Sequence, residues 1–173
     1  MIVHPRLLLV AAATLSIGAS RAQAQYATPR GQSISGIACD AQEGQRIHIH
    51  QHVAIFDHGK PVVVPYDVGR PSGVPCLYWL HTHTPDGIIH IEAPVNRSFT
   101  LGDFFDVWVQ PLSRTEAAGA ELAKGEHMQM WVDGAAYSGD PRAITLGDHT
   151  DIVIEVGPPY HTPVKFTAWN GAQ

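Results

Sequence analysis

Two short runs hold six of the chain's eleven histidines, and both alternate as a β-strand does. In residues 47–53 (IHIHQHV), histidine occupies every second position from 48 to 52. Residues 80–92 (LHTHTPDGIIHIE) contain a His-x-His pair and a His-x-Glu pair. Side chains two residues apart on a strand point to the same face, so each pair places two polar groups side by side. Because neutral imidazole is the commonest metal ligand in proteins, the two runs predict a transition-metal site between neighbouring strands.

The candidate metal ligands are the alternating side chains of these runs: His48, His50, His52, His81, His83, His90 and Glu92. The expected ligand set is His81 and His83 with one or two histidines of the first run, joined by His90 in one hairpin register. Imidazoles with a carboxylate suit zinc, copper, nickel or iron, and the Irving–Williams order favours Cu(II) among divalent ions. Copper or zinc is therefore the expected cofactor. Six histidines exceed one tetrahedral site, so either some of them orient the ligands or two sites exist.

Glu92 has three candidate roles. It could bind the metal, accept a hydrogen bond from a ligating imidazole, or act as a general base toward metal-bound water. With three protein ligands and an open position, the site would suit a metalloenzyme, in which Asp86 or Tyr78 could assist. With four histidine ligands, it would suit metal storage or delivery.

The hairpin over residues 76–93 has two plausible registers. If a type I turn with a bulge connects the strands, His90 and Glu92 point away from His81. If residues 84–87 all form the loop, His81 opposes His90 and the polar side chains share one face. Proline in the loop favours the first register. We expect the second, because a polar row buried among aliphatic residues without partners would cost roughly 2 kcal/mol or more.

Residues 1–24 resemble an export signal, with a basic start, an apolar stretch from Leu7 to Ile17 and a small-residue cleavage pattern. The chain has 11 Lys and Arg against 16 Asp and Glu; since Arg6 and Arg21 lie in this segment and no acid does, the net charge beyond it is −7. A negative chain without basic clusters argues against binding to nucleic acid or anionic membranes, and no segment after residue 24 is long and apolar enough to predict membrane insertion. A metal ion is the expected partner, and a protein partner is unidentified. The expected location is periplasmic or secreted.

The two cysteines, Cys39 and Cys76, predict a disulfide in an exported protein. Closing this loop would contribute about 4 kcal/mol in the chain-entropy model. The alternative is a blue-copper type of site, in which a free Cys76 thiolate would lie beside two histidines.

Strand patterns and turn signals predict a single domain over residues 25–173, mainly β, as an antiparallel sandwich or open barrel. Residues 25–38 are expected to form an irregular arm. About seven short strands are expected, at these positions: 46–56, 61–65, 76–83, 88–93, 127–132 with a short return at 135–137, 150–156 and 163–169. One or two short helices are expected in the 99–124 connection, one capped by Thr100 and one opened by the Ser113–Glu116 capping box.

We expect structural roles for the remaining histidines beyond the signal segment and for two methionines: His58, His127, His149, His161, Met128 and Met130. A second group, the aromatic residues Tyr78, Trp79, Phe104, Phe105 and Trp108, favours core packing, with a partner-binding face as the alternative. Three functions therefore stay open: an exported metal-binding protein, a small metalloenzyme, and a β module that binds a partner without metal. We assign no family from these motifs.

Overall fold

The computed structural model describes residues 31–169, so the predicted export signal lies outside it. These residues form a mainly β fold with one short helix and a 3₁₀ turn at Pro141–Ala143. The elements are β1 (Cys39–Asp40), β2 (Ile47–Asp57), β3 (Lys60–Val62), β4 (Leu77–Tyr78), β5 (Leu80–His81), β6 (Ile88–Ala93), α1 (Leu101–Trp108), β7 (Glu116–Ala117), β8 (Ala120–Glu121), β9 (Met128–Val132), β10 (Ala135–Ala136) and β11 (Asp151–Val156).

The main sheet has the strand order β10-β9-β11-β2-β6-β5, with β3 paired to the far end of β2. Its neighbours are antiparallel except for the central pair β2 and β11, which is parallel. The other four strands form two small ribbons, β1 with β4 and β7 with β8. The eleven-residue β2 is therefore the element against which most of the sheet is built.

Alternation along β2 gives this sheet two chemically different faces. One face carries Val53 and Ile55, which are 1% exposed and join Ile89, Ile91 and their neighbours in the core. The opposite face carries the histidines of β2. Because successive side chains of a strand point to opposite faces, the core fixes the direction of every histidine in the run.

Helix α1 begins after its predicted cap, Thr100, which forms a capping box with Asp103. The Thr100 hydroxyl accepts a hydrogen bond from the Asp103 backbone N–H, and the Asp103 carboxylate accepts one from the Thr100 N–H. Phe104 and Phe105 are fully buried in the core. Within residues 31–169, no helix is long and apolar enough to cross a membrane.

The aromatic residues of segment 78–108 pack as core residues. Tyr78, Phe104 and Phe105 are buried, and Trp79 and Trp108 pack against the same cluster. Met130 is buried in this core and Met128 is partly buried against it. These contacts agree with the structural roles expected from the sequence.

The second predicted helix, opened by Ser113 and Glu116, is wrong, because this segment forms the hairpin of β7 and β8. The Ser113 hydroxyl accepts a hydrogen bond from the Thr115 N–H, and the Ser113 N–H donates to the Glu116 carbonyl. Local hydrogen bonds that could have capped a helix therefore close a turn. Ala118 and Gly119 then adopt left-handed φ values of 50° and 84°, which complete the two-residue hairpin loop.

The predicted last strand at residues 163–169 is also wrong. Both edges of β11 are already paired, with β2 and with β9, so no edge is available beside it. The segment instead lies over the sheet and is held by side chains of β11. The Phe166 N–H donates to the Asp151 carboxylate over 2.9 Å, and the His161 N–H donates to Glu155 over 2.8 Å.

Predicted strand 76–83 is interrupted at Trp79, giving β4 and β5. Cys39 and Cys76 form the expected disulfide, which joins β1 to the start of β4. Because both sulfurs are in this bond, the alternative of a Cys76 thiolate as a copper ligand is wrong.

His58, in the turn after β2, lies between two carboxylates. Its Nδ1 is 2.6 Å from Asp57 Oδ1 and its Nε2 is 2.9 Å from Glu126 Oε2. The hydrogen bond with Asp57, followed by that with Glu126, raises the pKa of His58 above 6.5. We therefore expect His58 to titrate above the ordinary histidine value in a pH series of NMR spectra, and Glu126→Gln to lower its pKa.

The sign of the linked stability effect follows from the raised pKa of His58. The pairs of His58 with Asp57 and with Glu126 stabilise the fold below pH 6.5. This contribution is lost as the pH rises through the pKa of His58 in the folded state. Glu121→Gln, at an exposed site in β8, is the matched control. An unchanged His58 pKa in Glu126→Gln would contradict the assignment.

Candidate metal centre

Three histidines form a row across three neighbouring strands. His90 of β6 pairs with His81 of β5 on one side and with His50 of β2 on the other. This is the register expected from the separation of polar and aliphatic side chains. The hairpin connection therefore places the polar residues of β5 and β6 on the same face as the histidines of β2.

The next row contains His48, which pairs with Glu92. His48 Nε2 lies 3.1 Å from Glu92 Oε1, and His81 Nε2 lies 3.5 Å from Glu92 Oε2. His83, just beyond β5, turns its Nε2 to within 3.1 Å of His81 Nε2. Two nitrogens bound to one tetrahedral zinc ion lie about 3.3 Å apart, given Zn–N bonds of 2.0–2.1 Å, so these spacings suit ligands of a common ion.

Ligand atoms converge in three groups, each within 4.8 Å. The groups are His48, His50 and His90; His81, His83 and His90; and Glu43, His81 and Glu92. These histidine clusters could hold a metal ion. Six of the seven ligand candidates found in the sequence are therefore brought together on one face of the sheet.

Glu43 is the residue of these groups that sequence reasoning missed. It lies in the loop before β2, where no strand alternation marks it. The adjacent Gly44 explains its position, since a Cβ at Gly44 would come within 2.3 Å of the Ala93 backbone. Glycine allows the loop to run against β6, and this close approach brings Glu43 to Glu92. A glycine before a polar strand was the sole local signal.

His52 is the candidate that the structure does not bring to this cluster. Its Nδ1 lies 2.8 Å from Asp151 Oδ1, and its ring stacks on Phe166 with the ring centres 3.8 Å apart. On the β6 side it pairs with Ile88, which offers no ligand atom. The parallel strand β11, which sequence reasoning did not anticipate beside β2, supplies this separate partner.

The other described histidines pair with carboxylates or amides outside the three groups. His58 lies between Asp57 and Glu126, His127 lies by Gln129, His149 by Asp148, and His161 by Glu155. These contacts agree with the hydrogen-bonded or exposed roles expected for them.

The tautomer of His81 is set by a backbone carbonyl. His81 is fully buried, and its Nδ1 lies 2.9 Å from the Tyr78 carbonyl oxygen. Because a carbonyl only accepts hydrogen bonds, Nδ1 carries the proton and Nε2 keeps its lone pair. A second ring nitrogen held in this way is the usual arrangement around metal-ligating histidines.

Burial also keeps the imidazoles of the cluster uncharged. It lowers the pKa of His81 to about 4 and that of His90 to about 3, and neighbouring histidines act in the same direction on His90. Burial lowers the pKa of His50 and His83 too. These rings are therefore neutral near pH 7, the form that binds metals.

Three buried atoms of the cluster make no hydrogen bond with any described residue. They are His50 Nε2, His90 Nδ1 and Glu92 Oε2. His50 is 4% exposed and Glu92 is 5% exposed. Each unsatisfied buried polar group costs about 1–3 kcal/mol, and a bound cation would satisfy such acceptor atoms.

Comparisons of the chain with protein-family models, with curated proteins and with solved structures find no match.

Proposed function

We propose that the protein is an exported metal-binding protein that takes up copper or zinc at the histidine cluster. The observation that carries the proposal is the convergence of imidazole nitrogens from β2, β5 and β6, among which buried acceptor atoms lack a partner in residues 31–169. A shared cation would satisfy several of these atoms at once.

The donor set favours a transition metal over calcium or magnesium. Calcium and magnesium prefer oxygen ligands, whereas imidazole suits zinc and copper. The ligand core of the proposal is His81, His83 and His90, whose nitrogens converge on the β5 side of the cluster. Among divalent ions a site of this type favours Cu(II).

Export is supported by the signal-like segment 1–24 and by the disulfide. Disulfides persist in oxidising compartments and are rare in the cytosol. In such a compartment, a protein that binds metal through several histidines would suit the storage or delivery of the ion.

The test replaces His81 and His83 together by Ala and measures metal per chain by elemental analysis after loading and desalting. We expect the bound metal per chain to fall clearly below the wild-type amount, because both nitrogens that lie 3.1 Å apart on the β5 side of the cluster are removed. A double variant with His58→Ala and His127→Ala controls for the loss of two histidines outside the cluster. Unchanged metal content in the first variant, with a wild-type circular dichroism spectrum, would sink the proposed function.

A further inference from the structure

Glu92 lies between two His-x-His pairs. Its Oε1 is 3.1 Å from His48 Nε2, and its Oε2 is 3.5 Å from His81 Nε2. The two oxygens of one carboxylate therefore face histidines of different strands, β2 on one side of β6 and β5 on the other. A carboxylate oriented in this way can bind two ions, one through each oxygen.

His90 occupies a similar middle position. Its ring centre is 4.5 Å from that of His50 and 4.4 Å from that of His83. It belongs to the convergent group on the β2 side and to that on the β5 side. The strand between the two pairs thus contributes two residues that are shared between both sides.

The number of donors is too large for one ion. Five imidazoles and two carboxylates converge, whereas zinc binds four ligands in tetrahedral sites. Divided between two ions, the same donors give each ion one His-x-His pair and one oxygen of Glu92, with His90 completing one of the two sets.

Charge supports the same division. Glu92 is 5% exposed, and among residues 31–169 its ion-pair contacts are with histidines and with no Lys or Arg. Its Oε2 has no hydrogen-bond partner in that range. A buried carboxylate among imidazoles is costly without positive charge, and cations at its two oxygens would supply that charge.

We propose that the cluster is a dinuclear transition-metal centre, in which the Glu92 carboxylate bridges one ion held by His48 and His50 and another held by His81 and His83. This inference rests on the proposed metal binding. Two-metal sites hold their ions about 3.5–4 Å apart, close enough for the unpaired electrons of two Cu(II) ions to couple. A bridging Glu92 would not be free to act as a general base.

The experiment titrates the metal-free full chain with Cu(II) and follows stoichiometry by calorimetry and electron paramagnetic resonance by spin counting. We expect two ions per chain and a spin count well below two, because the ions couple through the carboxylate. His48→Ala and His83→Ala are each expected to reduce binding from two ions to one, with a full spin count of one. Glu92→Gln is expected to abolish the coupling, and Glu121→Gln is the matched control.

The outcomes separate the two proposals. One Cu(II) per wild-type chain would overturn the dinuclear centre and leave the proposed function intact, whereas no bound ion would overturn both. Two ions whose spins are fully counted in the wild type, with no change in Glu92→Gln, would overturn the bridge. Circular dichroism identifies any variant that fails to fold. Titration of the wild type with Zn(II) then counts the bound ions without relying on that variant.

Discussion

Zinc in excess is expected to raise the free energy of unfolding of the metal-free protein by about 4 kcal/mol for each ion bound, when free zinc exceeds the Kd of that site 1,000-fold. The donors come from β2, β5 and β6, and the unfolded chain does not hold them together. Binding therefore favours the folded state. The ion would also satisfy acceptors such as His50 Nε2 that otherwise destabilise the buried face.

Urea unfolding at several zinc concentrations measures this gain, and a chelator should reverse it. The gain should be clearly smaller in the His81→Ala, His83→Ala double variant, which keeps only the donors on the β2 side, and unchanged in the His58→Ala, His127→Ala control. An equal gain in both variants would show that the stabilising ion binds elsewhere on the chain.

Loss of the disulfide is expected to destabilise the protein by a similar amount. The bond between Cys39 and Cys76 closes a loop with a sequence separation of 37, which in the chain-entropy model contributes about 4 kcal/mol. The loop contains all of β2, so its release frees the longest strand in the unfolded chain. The expected effect of replacing both cysteines by Ala is a lower urea midpoint with a larger m value.

Wild-type protein treated with a reductant is the matched control, since it keeps both residues but loses the bond. Both forms should unfold at the same urea concentration. If the Ala variant lost less than about 1 kcal/mol of stability, the disulfide would contribute little of the restraint on this loop.

Alternation was enough to predict the side of the sheet on which the candidate ligands lie. Once Val53 and Ile55 are buried, the strand period places the histidines of β2 on the other face. The same reasoning selected the register that pairs His81 with His90, although the proline in the hairpin loop favoured the other register. Burial of polar groups outweighed turn preference there because it acts on several side chains at once, while the turn involves one.

Contacts between distant segments were not predictable from the sequence. Nothing near His52 indicates that Asp151, 99 residues away, would pair with it. The role of Glu43 depends on a loop that passes close to β6. The hydroxyl and carbonyl groups of the segment from Ser113 to Glu116 could either cap a helix or close a turn. The left-handed backbone of Ala118 and Gly119 is that of a turn.

The parallel pairing of β2 with β11 makes the fold depend on the completion of the polypeptide. Synthesis produces β2 early, but its second neighbour is β11, close to the end of the described chain. Any product that stops before Asp151 leaves a long edge of β2 open to pairing with other molecules. Shortened chains should therefore aggregate instead of folding as smaller fragments, because the central strand of the sheet lacks its partner until the last strand has been made.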